Sequence, residues 1–143
     1  MTFKFQPILN LRKHHEDRCR TRFKEEQEKL WLIDEELSRL QAIKKQREAE
    51  TEQLSIGRLS LEHLLSGSSY LAYLRRKQKE ASARRVRQAE EVERARATLV
   101  QARKETKVME RLKEKMAQKE AEARLHQEQK TLDEVAITQI YRN

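Results

Sequence analysis

Few residues in this sequence could take part in catalysis or in metal binding. His14, His15 and Cys19 lie close together, and a helix would place His15 and Cys19, an i, i+4 pair, on one face. Two ligands could begin a zinc site, but a structural zinc site usually has four, and the other histidines lie far away in the sequence. We therefore interpret the group as surface histidines beside a seam cysteine and expect no metal.

No other pattern typical of an enzyme is present in the sequence. It contains no phosphate-binding glycine loop and no Gly-x-Ser-x-Gly motif, and its many carboxylates fall on what would be solvated helix faces. We therefore predict that the protein is not an enzyme, has no catalytic residue and needs no cofactor.

A basic segment, residues 75–87, suggests a different chemistry. A basic helix that runs into heptads, in a chain of net charge +8, has the layout of a leucine-zipper DNA-binding protein. The base-reading asparagine is absent, however, and the following heptads carry alanine and methionine where a dimeric zipper has leucine. We expect no nucleic-acid partner, and we keep a basic coiled-coil nucleic-acid-binding protein as the alternative from another functional class.

The elements that position these residues must be long helices. Charged residues make up 39% of the chain and aromatic residues only 5%, too few apolar side chains for a sizeable globular core. Breakers are equally scarce: Pro7, Gly57 and Gly67 are the only prolines and glycines. The fold class is therefore predicted to be all-α, a long antiparallel two-helix coiled-coil hairpin with a short helical tip. As a single coiled-coil domain over 1–143, it would have helix 1 at about 7–56, the tip at 57–69 and helix 2 at about 70–139.

Apolar spacing predicts the faces on which the helices meet. In helix 1 an a/d seam runs from Cys19 and Phe23 to Leu40 and continues with polar residues to Leu54. In helix 2 two heptad series, beginning at Leu71 and Leu74, continue to Lys113 and Ala123, which indicates a left-handed supercoil.

Charge placement then suggests a register. A turn at Gly67 would set Glu48, Glu50 and Glu52 opposite Arg84, Arg85 and Arg87, and Lys44 and Lys45 near Glu90 and Glu91.

Two groups of apolar residues have no obvious partner within the hairpin. Each could pack on itself or bind another protein. The first, at the tip, is Leu64, Leu65, Tyr70, Leu71, Tyr73 and Leu74. The second is the open end, where Phe3, Phe5, Ile8, Leu9 and Leu11 are expected to meet Leu132, Val135, Ile140 and Tyr141.

Three stretches carry a resemblance to a known family. Residues 3–13 (FKFQPILNLRK), 105–115 (ETKVMERLKEK) and 128–136 (EQKTLDEVA) are similar to the FliJ family of flagellar type III export proteins. The resemblance covers nearly the whole chain. It implies a non-enzymatic coiled coil, similar to the central stalk of rotary ATPases, that inserts its open end into the export ATPase ring, promotes assembly of that hexamer and bridges it to the membrane export-gate protein. Export chaperones are further implied partners.

The resemblance also implies where these partners bind. The family's gate contact is an aromatic residue followed four positions later by leucine, which Tyr70 and Leu74 match with tyrosine in place of phenylalanine. The neighbouring Leu71 and Tyr73 are assigned to the same export-gate site. By position and residue type, the ATPase-binding open end corresponds to Arg12, Lys13 and Glu16 on helix 1 and to Lys130, Asp133 and Glu134 on helix 2.

Two further expectations concern the cell. One cysteine and the lack of a long apolar run predict a reduced, cytoplasmic protein without a transmembrane segment. The resemblance implies in addition that it is held peripherally at the inner face of the cell membrane through the export apparatus. The equivalent stalk protein of a virulence type III secretion system has the same shape and role, so it stays open as an alternative.

Overall fold

The computed structural model describes residues 3–55 and 61–142, which form two helices and no strand. Helix α1 runs over Gln6–Ser55 and helix α2 over Leu61–Arg142. Pro7 lies in the first turn of α1, where a proline sacrifices no intrahelical hydrogen bond. The predicted end of helix 1 at Ile56, like the predicted tip residues 57–60, lies outside the described residues.

Helix α2 begins earlier than the sequence predicted. Gly67 was expected to end a short helix and Tyr70 to begin the next, but α2 already includes residues 61–69. Gly67 adopts no positive φ and lies half-buried, where an added Cβ would come within 3.9 Å of Thr51 Oγ1 on α1. One glycine costs a helix only about 1 kcal/mol, which packing against a neighbouring helix can offset.

The chain divides into two compact units. Unit 1 combines Met1–Arg18 with Val100–Asn143, and unit 2 is Cys19–Leu99. In each unit a segment of α1 packs antiparallel against a segment of α2. The predicted all-α, antiparallel two-helix architecture is confirmed.

The seam of unit 2 follows the predicted heptads. Leu74, Ala81, Val92, Ala95 and Leu99 are its buried apolar residues on α2. On α1, Cys19 is buried and the seam residues from Phe23 to Leu40 are half-buried. Small alanines alternate with larger side chains because two helices alone leave little depth to fill. Sequence periodicity therefore located this seam correctly.

Unit 1 is held by a shorter seam. Leu9 on α1 is 1% exposed, and Ala102 and Thr106 on α2 are also buried. The Thr106 hydroxyl, which has one proton to donate, lies 3.0 Å from the Ala102 carbonyl oxygen and 3.3 Å from the Arg12 carbonyl oxygen, so this buried polar group is satisfied. Beyond Met116 every described residue of α2 is exposed.

The register predicted from charge placement is wrong. Arg84 pairs with Glu36 and Arg85 with Asp34, instead of the predicted partners at Glu48, Glu50 and Glu52. Glu91 pairs with Arg94 on its own helix, rather than with Lys44 or Lys45. Helix α2 runs without interruption through Gly67, so no turn lies there, and every facing pair is shifted from the predicted one. Exposed ion pairs contribute only about 0.2–1 kcal/mol each, so burial of the apolar seam decides the register.

Candidate partner-binding surfaces

A tyrosine patch lies near the start of α2 in unit 2, formed by Tyr70, Leu71, Tyr73 and Leu74. The rings of Tyr70 and Tyr73 stack with their centroids 6.2 Å apart and their planes at 25°. The Arg47 guanidinium from α1 lies over the Tyr70 ring, 4.6 Å from its centroid, a cation–π geometry that fixes this ring. Helical spacing at i, i+3 and i+4 places the four residues together, as the sequence predicted.

The four residues of the patch differ in what they can offer a partner. Leu74 is 2% exposed and belongs to the seam, while Tyr70 and Leu71 are half-buried. Tyr73 is 43% exposed, with the Arg76 guanidinium and the Lys77 ammonium each 5.7 Å from its ring centroid. A partner can therefore reach Tyr73 directly, whereas Leu74 supports the patch from below.

A cavity of 250 Å³ lies beside the patch, between the helices of unit 2. Its lining includes Arg47 and Thr51 from α1, and His63, Gly67 and Tyr70 from α2. The missing side chain at Gly67 contributes to this space. The sequence did not predict that Arg47 covers the Tyr70 ring, nor that Gly67 leaves space for a cavity. Both features depend on which residues of the two helices face each other.

The residues predicted at the open end are not brought together. In unit 1, Arg12 pairs with Glu105 at 2.7 Å and Glu16 with Arg103 at 3.5 Å, so both face the middle of α2. Gln6 accepts a hydrogen bond from the Lys113 ammonium at 3.0 Å. Lys130 lies seventeen residues beyond Lys113, about 26 Å further along the helix at 1.5 Å per residue.

The final part of α2, residues 117–142, thus extends past the beginning of α1 in unit 1. We call it the α2 extension. The predicted contact of Phe3, Phe5, Ile8, Leu9 and Leu11 with Leu132, Val135, Ile140 and Tyr141 is wrong, because α1 begins at Gln6, opposite Lys113, and does not reach that part of α2. Phe3 and Phe5 instead contact each other edge to face, at 5.8 Å. Six large apolar side chains of the extension are exposed: Leu125, Leu132, Val135, Ile137, Ile140 and Tyr141.

Lys130, Asp133 and Glu134 lie on this extension and are exposed, as is Lys13 on α1. Their predicted grouping with Arg12 and Glu16 into one surface is corrected by the register. The extension presents apolar and charged side chains on a helix that no other described part of unit 1 covers. Such a helix is suited to binding another protein.

A polar junction in the seam of unit 2 was also missed by sequence reasoning. Glu26 is 9% exposed, and the Gln88 amide donates to its carboxylate at 2.6 Å and to its carbonyl oxygen at 3.0 Å. The Lys29 ammonium lies 3.1 Å from the same carboxylate. These hydrogen bonds, first that of Gln88, lower the pKa of Glu26 below its ordinary value. Its heptad position, three residues after Phe23, was the signal available in the sequence.

No cluster of metal ligands is present in the part of the chain that the structure describes: across 3–55 and 61–142, no three His, Cys, Asp or Glu residues lie together as metal ligands would. Cys19 is buried. The helices, as far as they are described, also include no stretch apolar and long enough to traverse a bilayer. The arrangement consists of helix faces that can bind other molecules.

The described residues define an all-α protein in which two long helices pack antiparallel. The family model described as the flagellar FliJ protein matches residues 1–143. The chain therefore belongs to the FliJ family, as its sequence motifs indicated.

A solved structure shares the fold. It is CT670 from Chlamydia trachomatis, described as a YscO homolog, with a TM-score of 0.58, 22% identity, and coverage of 99% of this chain and 98% of that chain. A comparison with curated proteins found no match.

Proposed function

We propose that this protein is a non-enzymatic coiled-coil stalk of the flagellar type III protein export apparatus. In this role it binds the export ATPase, promotes assembly of the ATPase ring and links that ring to the membrane export gate and to export chaperones. The observation that carries the proposal is the family match over the whole chain. The protein would then work in the cytoplasm, peripherally at the inner face of the cell membrane.

The α2 extension is the part of the molecule best suited to the ATPase. Its apolar residues are exposed because no segment of α1 faces them, and a partner that covers Leu132 and Val135 would bury apolar area now in water. Lys130, Asp133 and Glu134 lie beside them and can set the orientation of the complex. A secondary contact with the ATPase would come from the paired part of unit 1, through Arg12, Lys13 and Glu16.

Mixing the protein with its cognate export ATPase tests this role. We expect faster ATP hydrolysis and ring-shaped hexamers by electron microscopy. The double variant Leu132→Ser with Val135→Ser should lose both effects, whereas the control Leu32→Ser, at a position 55% exposed on α1, should retain them. Unchanged hydrolysis with no rings from the wild-type protein would show the proposal to be wrong.

The tyrosine patch is proposed as the export-gate site. Tyr73 would make the direct contact, while Tyr70, Leu71 and Leu74 hold it in place, and the cavity beside Gly67 would admit a side chain of the gate protein. Tyr73→Ala should weaken binding to the cytoplasmic domain of the gate protein in calorimetry and leave the helical circular dichroism unchanged. If Tyr73→Ala binds as well as wild type, the patch is not the gate site.

A virulence secretion system is the second candidate, and the shared fold with a YscO homolog favours it. Expression of this chain in a flagellated strain that lacks its own family member separates the two. Restored swimming supports the flagellar role. Restored effector secretion in the corresponding injectisome mutant, without restored swimming, supports the second candidate.

A further inference from the structure

Most of the net charge of the chain is concentrated in one short segment of α2. Residues 75–87 contain seven Arg or Lys and one Glu, a net +6 of the +8 carried by all 143 residues. At 1.5 Å per residue the segment is about 18 Å long. A positive potential of this density attracts anionic surfaces over a distance of about one Debye length, roughly 8 Å at physiological salt.

Three of the seven cations are paired within the protein: Arg84 and Arg85 with carboxylates of α1, and Lys77 with Glu80 at 3.8 Å. We call the remaining four the outer basic face. These four are exposed, and none of them forms a salt bridge within the described residues: Arg75, Arg76, Lys79 and Arg87. The charge of this face is therefore available to bind an external anion.

Exposed apolar side chains lie on the same side of α2. Leu65 is 61% and Val86 59% exposed, and their helical positions are aligned with Arg76 and Lys79, opposite the buried seam at Leu74. Long cationic side chains can follow an apolar surface and place their charge in a phosphate layer. Exposed cations beside exposed apolar side chains therefore complement a surface whose outer layer carries phosphates and whose inner layer is apolar.

We propose that the outer basic face docks the protein on an anionic lipid bilayer, with Leu65 and Val86 entering the headgroup region. Nucleic acid also carries phosphates, but single-stranded bases would need free aromatic rings to stack on. Here the Tyr70 ring is covered by Arg47 and stacks on Tyr73. A duplex would leave the two apolar side chains against charged phosphates. The docking face adjoins the tyrosine patch at Arg76, whose guanidinium lies 5.7 Å from the Tyr73 ring centroid, but the proposal does not depend on the export role.

Vesicle flotation with the full chain tests the proposal. The probes are phosphatidylcholine vesicles with and without one third phosphatidylglycerol. We expect flotation only with the anionic vesicles and weaker binding at high salt. Each cation near such a surface strengthens binding roughly fivefold, so replacing all four by Gln should lower the partition coefficient at least about a hundredfold. Leu65→Ser should weaken the binding that persists at physiological salt.

The matched control replaces four other exposed cations of α2 by Gln, which changes the net charge equally. These cations lie among carboxylates: Arg111, Lys115, Lys119 and Arg124. Flotation of the control variant should stay within a few-fold of wild type. An equal loss in the control, or equal binding to neutral vesicles, would overturn a localised docking face. Displacement of the protein from vesicles by duplex DNA at equal phosphate concentration would assign the face to nucleic acid instead.

Discussion

Replacement of Leu74 by alanine tests whether the tyrosine patch rests on the seam. Leu74 is 2% exposed, so its side chain lies almost wholly between the helices of unit 2. The substitution removes three carbon atoms. At about 0.8 kcal/mol for each, the lost transfer free energy is about 2.4 kcal/mol, and a residual cavity would add to it.

The low end of the known range for this substitution applies here. Leucine to alanine costs about 2–5 kcal/mol in cores, with the larger values where a cavity cannot collapse. Leu71 and Gln78, one turn away on either side, are only half-buried, so water and neighbouring side chains can fill the space. We therefore expect a loss of about 2–3 kcal/mol in the free energy of unfolding.

Urea denaturation followed by far-ultraviolet circular dichroism measures this loss. Leu65→Ala is the matched control, since it makes the same substitution on the same helix at a residue 61% exposed, and it should change stability by less than about 0.5 kcal/mol. Equal midpoints for the two variants would refute the placement of Leu74 in the seam. Leu74 would then be a surface residue that can contact the export gate directly.

Three further perturbations probe the seam and the register. The pKa of Glu26 is lowered in the folded protein, so its carboxylate stabilises the fold at pH values above its unfolded pKa. This contribution is lost as the pH falls through the folded pKa. In thermal melts, the stability advantage of wild type over Glu26→Gln should therefore shrink on acidification. Gly67→Ala should raise stability by up to about 1 kcal/mol in urea, because the position is helical and an added Cβ meets only a 3.9 Å contact. In the variant Gln41→Cys with Gln78→Cys, a short bismaleimide should join the two thiols within one molecule, since the amides of Gln41 and Gln78 are hydrogen-bonded across unit 2 at 2.7 Å and the two positions therefore face each other.

Each of these has an outcome that contradicts it. A constant difference between wild type and Glu26→Gln at every acidic pH would mean that this carboxylate keeps its ordinary pKa. Destabilisation by Gly67→Ala would place a turn at Gly67. The cross-linking experiment uses a Cys19→Ser background, and its control pairs Glu48→Cys with Arg85→Cys, as the sequence-based register would require. If only the control pair is cross-linked, the register predicted from charge placement is correct and the observed one is wrong.

Much of the fold could be predicted from the sequence because helical periodicity is a local property. The spacing from Leu71 to Met116 on α2 marks the side that α1 covers, and burial follows it closely. Arg85 and Lys113 are exceptions: both lie at seam positions, yet both are exposed and reach polar partners on α1. A long cationic side chain can leave a two-helix seam at little cost because solvent is adjacent.

The candidate surfaces were only partly predictable. The tyrosine patch depends on i, i+3 and i+4 spacing within one helix, and so the sequence grouped its members correctly. The open end depends on which residue of α1 faces which residue of α2. A shift of the reversal point moves both helix ends apart, and for this reason Arg12 and Lys130 were wrongly assigned to one surface.

The sequence by itself determined two long helices, their buried faces and the FliJ family resemblance, since each is encoded in residue type and short-range spacing. Only the tertiary structure decided the register, the burial of Leu74 and Glu26, and the uncovered α2 extension. The physical reason is that a heptad seam repeats: neighbouring registers bury similar residues and differ by small energies. Which one forms is set by the sum of many contacts between residues distant in the sequence.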